Sequence, residues 1–120
     1  MKILVVDDAA ITRLMLKDIL EKENYTIEEA ETGEEGFEKY KNIKPDLVIM
    51  DITMPQVDGI RSIELIKSHD KNAKIIVCSA LGQKDLVLKA LKLGALDYVI
   101  KPFDEFRIVE AVNRILKVGA

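Results

Sequence analysis

One cysteine and one histidine are all this chain holds of two residue types that build many metal sites. Cys78 has no partner for an internal disulfide, and its place in an apolar run marks it as a buried, inert thiol. His69 stands at the polar end of a helical pattern with no ligand partner nearby, and reads as a solvated surface histidine. A basic surplus is missing too. The formal net charge of −3 argues against a nucleic-acid surface, which needs a basic patch to neutralise phosphates. No apolar stretch approaches the roughly 20 residues that span a bilayer, and no signal peptide precedes the first apolar run. The expectation is a cytoplasmic protein with no membrane and no nucleic acid among its partners. Linkers, internal repeats and low-complexity stretches are also lacking. A length of 120 residues fits one small domain, expected over 1–120 with no effector module appended.

What the chain does have is four apolar runs, each ending in a group suited to phosphoryl chemistry. Ile3–Val6 leads into Asp7 and Asp8, Leu47–Met50 into Asp51, Ile75–Cys78 into Ser79, and Tyr98–Ile100 into Lys101 and Pro102. Runs continuously apolar suit strands covered on both faces, and helical patterns alternate with them, the signature of βαβ units around a parallel sheet. Strands are expected near 2–6, 26–30, 46–50, 74–78 and 96–100, and helices near 10–23, 33–43, 58–69, 84–93 and 104–117. The more polar Thr26–Ala30 reads as an edge strand. Thr32 with Glu35 forms a capping box, Asp104 is an N-cap, and Gly94 closes the fourth helix. Parallel strands would place their carboxyl ends along one edge, where ligands of open α/β sheets bind. Three carboxylates gathered there repel one another unless a hard cation such as Mg²⁺ sits among them. A carboxylate beside a metal and a lysine is also a plausible nucleophile for a phosphoryl group.

Val5–Asp8, Met50–Pro55 with Asp58–Gly59, Cys78–Ala80, Gly94–Ala95 and Lys101–Phe103 occur in order at a distinctive spacing. With them the chain resembles a receiver (response-regulator) domain of two-component signalling, from Lys2 to about Lys117. The resemblance implies an α/β fold, a flavodoxin-like (βα)5 doubly wound sandwich with a five-stranded parallel sheet in order 2-1-3-4-5. It implies Asp51 as phosphoacceptor, with Asp8, Asp51 and the Thr53 backbone carbonyl binding Mg²⁺ (or Mn²⁺) and Asp7 reaching the metal through a water. Lys101 is implied to neutralise charge on the transferring oxygens, and its bond to Pro102 to be cis. Ser79 and the Ala80 N–H are implied to receive the phosphoryl oxygens, and Tyr98 is implied as an aromatic switch coupled to Ser79. Read alone, Asp8 is equally an N-cap of the first helix, Lys101 an exposed strand-end lysine and Tyr98 a half-buried strand residue.

On a helical wheel, Leu16, Ile19 and Leu20 fall on one side of the first helix and Ile11, Leu14 and Met15 on another. Either Leu14 and Met15 pack against the fifth helix, or, as the resemblance implies, the patch docks a histidine kinase or phosphotransfer domain. The segments Asp7–Ala10, Met50–Pro55 and Cys78–Gln83 are similar to those of CheY-type chemotaxis regulators. Ile11–Thr12 and Tyr98 depart from that pattern.

The resulting expectation is a monomeric, stand-alone regulator rather than an enzyme, hydrolysing its own acyl phosphate only slowly. It would signal to a protein partner through the face made by helix four, strand five and helix five. Alternatives are a phosphorelay carrier or the partner of a single sensor kinase. A haloacid dehalogenase-like phosphatase would carry Asp-x-Asp after the first strand and a cap insertion, and this chain has neither. A flavodoxin would cradle a phosphate in its first loop, where Asp7 and Asp8 would repel it.

Overall fold

The computed structural model describes residues 1–54 and 58–117, so Pro55 of the Met50–Pro55 motif lies outside the described residues. Ten elements alternate along the chain: β1 (Lys2–Val6), α1 (Ala10–Glu21), β2 (Thr26–Ala30), α2 (Gly33–Ile43), β3 (Leu47–Asp51), α3 (Asp58–His69), β4 (Ile75–Ser79), α4 (Lys84–Lys92), β5 (Asp97–Ile100) and α5 (Glu105–Leu116). The strands form one parallel sheet in the order β2-β1-β3-β4-β5, with the polar β2 at an edge as its composition suggests.

Side chains alternate across a strand, so each apolar run supplies both faces of the sheet. Leu4, Val6, Val48, Met50, Ile75 and Val77 share one buried cluster with residues of α2, α3 and α4. Ile3, Val5, Leu47, Ile49, Ile76 and Cys78 belong to the other, under α1 and α5. Right-handed crossovers between parallel strands account for this division of the helices. In α5, Ile108, Ala111, Val112 and Leu116 are buried, and Val109 and Ile115 pack at the margin.

Local signals set most boundaries. The Thr32 Oγ1 accepts the Glu35 N–H at 3.0 Å, but the Glu35 carboxylate takes the N–H of Glu31, one residue before the cap. Asp104 caps α5 by accepting the Phe106 N–H at 2.9 Å. Gly94, at φ +115, follows Leu93, the C-cap of α4, and lets the Ala95 N–H return to the Ala90 carbonyl. Helix α1 ends at Glu21, two residues before the expected end, because the chain turns through Asn24 at φ +69 into β2. Asp8 does not cap α1: Ala9 holds the N-cap position, without a side-chain bond.

Candidate phosphoryl and metal site

Strand register puts the chemistry at one edge. Val6 pairs with Met50, Asp51 with Cys78 and Ser79 with Ile100, so Asp7, Asp51, Ser79 and Lys101 end neighbouring strands at nearly one level. One carboxylate oxygen from each of Asp7, Asp8 and Asp51 lies within 4.8 Å of the others. Asp7 and Asp51 are buried, and Asp8 is exposed at the mouth. Lys101 is turned inward rather than into solvent. Its Nζ donates to Asp7 Oδ2 at 2.8 Å and lies 3.3 Å from Asp51 Oδ2, and its bond to Pro102 is cis. Three carboxylates against one ammonium leave two negative charges uncompensated in this group, the charge a divalent cation would balance.

The two buried carboxylates are held differently. Asp7 has both oxygens occupied, Oδ1 by the Ala9 N–H at 2.8 Å and Oδ2 by Lys101. Asp51 Oδ1 accepts both the Thr53 N–H, at 2.7 Å, and the Thr53 hydroxyl, at 2.6 Å. Asp51 Oδ2 is the only buried side-chain polar atom without a hydrogen-bond partner among the described residues. A buried carboxylate oxygen with no hydrogen bond, balanced only by an ammonium 3.3 Å away, marks where a cation or an electrophile fits. Burial raises the Asp7 carboxyl above its usual range, against the lowering effect of Lys101. Burial also acts to lower the Lys101 pKa, but the bond to Asp7 and the charges of Asp51 and Asp7 raise it, so the side chain remains an ammonium.

Several supports were not apparent in the sequence. Arg13 lies almost wholly buried, donates to the Asp7 carbonyl at 2.7 Å and pairs with Glu29 at 3.0 Å, which fixes the loop carrying Asp7 and Asp8. Asp58 accepts the Gly33 N–H at 2.6 Å and Ser62 donates to the Gly33 carbonyl at 2.8 Å, tying α3 to the start of α2. Gly59 is required because any Cβ there would overlap the Asp51 carbonyl oxygen. The Ala80 N–H donates to the side-chain oxygen of Gln83 at 2.7 Å. Arg13 and Ser62 are ordinary polar residues whose partners stand elsewhere in the fold, whereas Thr53 and Gln83 bond within three residues, through turns that side-chain chemistry alone does not reveal. Only the Asp-Gly spacing hinted at the role of Asp58 and Gly59.

The other expected residues lie apart from the acidic cluster. Tyr98 is exposed and lines a cavity of about 260 Å³ with Ser79, Ala80, Gln83, Leu88 and Ile100. Ile11, Leu14 and Met15 are 65%, 51% and 43% exposed, so α5 does not bury this patch. His69 is exposed, its ring edge-on to Phe37. Cys78 is buried, and burial raises its thiol pKa, in keeping with an inert side chain.

Residues 3–113 match the model of the response regulator receiver domain. The chain is 54% identical to the chemotaxis protein CheY of Thermotoga maritima over 97% of its length and 98% of that protein. It is 51% identical to the chemotaxis protein CheY of Bacillus subtilis over 96% and 97%. Among solved structures, the CheX-CheY-BeF3-Mg²⁺ complex from Borrelia burgdorferi matches with a TM-score of 0.88 and 39% identity, covering 95% of this chain and 87% of that one.

Proposed function

The chain belongs to the response regulator receiver domain family, and from that premise we propose that Asp51 accepts a phosphoryl group from a phosphohistidine. The supporting observation is Asp51 Oδ2, a buried carboxylate oxygen with no hydrogen-bond donor, 3.3 Å from the Lys101 ammonium. Thr53 engages Oδ1 twice, which orients the carboxylate and leaves Oδ2 as the attacking atom. Oδ2 forms a bond to phosphorus as the phosphorus–nitrogen bond breaks. The electron pair of that bond stays on the imidazole nitrogen, and an acyl phosphate results.

Lys101 offsets charge on the transferring oxygens, while Ser79 and the Ala80 N–H are their donors at the end of β4. Asp8, Asp51 and the Thr53 carbonyl would hold Mg²⁺, with Asp7 acting through a water, and the bound metal supplies further charge neutralisation. Mn²⁺ substitutes on the same oxygen ligands. The Borrelia relative, crystallised with BeF3 and Mg²⁺, supports this reading of the acidic cluster.

The exposed Ile11, Leu14 and Met15 patch, on the helix that follows Asp7 and Asp8 in the chain, is the docking surface for the kinase or phosphotransfer partner. The output is a protein target on the α4–β5–α5 face, within a single domain that acts as a monomer. The two chemotaxis relatives favour chemotaxis as the pathway.

Acetyl phosphate with Mg²⁺ should add one hydroxylamine-labile phosphoryl group per chain, and Asp51→Asn should abolish it while leaving the circular dichroism unchanged. A labile phosphoryl group retained at full level by Asp51→Asn would assign the acceptor elsewhere.

A further inference from the structure

The Ala80 N–H follows Ser79 at the end of β4, and the phosphoacceptor reading gives this donor to the phosphoryl group. In the structure the donor is engaged. Its proton points at Gln83 Oε1, 2.7 Å away in a partly buried contact. Gln83 holds the N-cap position of α4, yet its side chain caps no α4 amide and instead turns back toward β4. The reversal runs through Gly82 at φ +87, a conformation that favours glycine, where a Cβ would meet no neighbour within 4 Å. The backbone is therefore shaped to return Gln83 to Ala80.

An N–H carries one proton and serves one well-aligned acceptor at a time. A phosphoryl oxygen and the Gln83 carboxamide cannot both hold it. We propose that Gln83 is a competitor built into the phosphoryl site: in the resting protein its carboxamide holds the Ala80 N–H, and an incoming phosphoryl oxygen gains that donor only by expelling it. This rests on the phosphoacceptor reading and deepens it. Two consequences follow from the position of Gln83. The phosphorylated state loses part of its stabilisation to the broken Gln83 bond. Expulsion also frees the side chain of the N-cap residue of α4, whose own carbonyl accepts the Val87 N–H in the first hydrogen bond of the helix. Site occupancy is thus linked to the cavity between the β4–α4 loop and Tyr98, which Gln83 also lines.

The test uses Gln83→Met, which keeps the side-chain length and removes the oxygen acceptor, and Gln83→Glu, whose charged acceptor holds the amide more tightly and repels an anion. Each protein is titrated with beryllofluoride in Mg²⁺ while the Ala80 amide is followed by NMR. In the free protein, Gln83→Met should move the Ala80 proton upfield. Its beryllofluoride affinity should rise by about two- to tenfold, the net worth of one neutral hydrogen bond. Gln83→Glu should weaken binding, and a residue that only supported the fold would not shift affinity in opposite directions. Unchanged or weaker binding by Gln83→Met, with wild type binding normally, overturns the competitor alone. A wild-type protein that binds no beryllofluoride overturns the phosphoacceptor reading, and the competitor with it.

Discussion

Asp51 has one oxygen hydrogen-bonded twice by Thr53 and the other in ion-pair contact with Lys101 alone, and this asymmetry distinguishes it from its buried neighbour Asp7. Both carboxylates were legible as site residues, because an acid straight after a continuous apolar run stands at the carboxyl end of a buried strand. Their different hydrogen bonding was not legible, since it depends on Lys101, 94 residues away from Asp7. Ser79 was legible on the same ground, and it supports a prediction at this scale. Ser79→Ala should still accept phosphate on Asp51 but switch poorly, because the phosphoryl group biases the conformational equilibrium only through contacts that differ between states. A hydrogen bond to a charged group contributes about 1.5–3 kcal/mol, so beryllofluoride affinity should fall about tenfold or more. Backbone amide shifts in α4 and β5, with and without beryllofluoride, measure the switching. Shifts in Ser79→Ala equal to those of wild type would mean that another group carries the signal.

Helix α1 divides its apolar residues between two surfaces. Leu16, Ile19 and Leu20 sit in the core, while Ile11, Leu14 and Met15 face solvent on the helix that follows Asp7 and Asp8 in the chain. The wheel separated the two sets, but whether α5 would cover the second was decided only by how the helices pack. Met15→Glu or Ile11→Glu should slow phosphoryl transfer from a cognate kinase about tenfold or more, as expected of truncated interface anchors. Labelling by acetyl phosphate should stay near wild type, and stability should change by no more than about 0.5 kcal/mol at these exposed positions. Equal losses by both routes would make the patch a support of the fold. Between α2 and the end of α3, the Tyr40 hydroxyl donates to Asp70 at 2.8 Å. That bond is the main influence holding the Asp70 carboxyl below its usual 3.8, while burial first, and then Asp70, raise the Tyr40 pKa above its usual 10.0. A lowered acid pKa means stabilisation present above the usual value and lost as pH falls through the lowered one. A raised tyrosine pKa means stabilisation present below 10.0 and lost as pH climbs through the raised value. Tyr40→Phe should therefore cost about 0.5–1 kcal/mol at neutral pH, modest because Asp70 is only half-buried, and the deficit should shrink in acid. Urea unfolding at neutral pH and below the titration of Asp70 measures it, and an equal deficit in both would remove Asp70 from the account.

At the scale of the molecule, the sheet gathers like charges that an unfolded chain would keep apart. The cluster of Asp7, Asp8 and Asp51 opposes folding by repulsion, and a divalent cation bound to it stabilises only the native state. Mg²⁺ at about 100 times its dissociation constant should contribute about 2.7 kcal/mol and raise Tm by several degrees. Asp8→Ala should show a much smaller rise, and thermal melts with Mg²⁺ and with chelator measure both. A wild-type Tm indifferent to millimolar Mg²⁺ would remove the metal from the site. The sequence alone determined the alternation of strands and helices, most of the caps, and which residues end the apolar runs, because periodicity, capping and run length act within a few residues. The order β2-β1-β3-β4-β5 came from family resemblance and not from periodicity, which says nothing about which strands are neighbours. Only the tertiary structure decided that Lys101 faces Asp7 and Asp51, that Arg13 holds the Asp7 loop, and that Gln83 occupies the Ala80 amide. The Lys101 and Arg13 contacts join separate strands and helices, so they exist only once the sheet has been assembled. The Gln83 contact spans three residues but depends on the backbone turn at Gly82, and side-chain chemistry alone does not reveal such a turn.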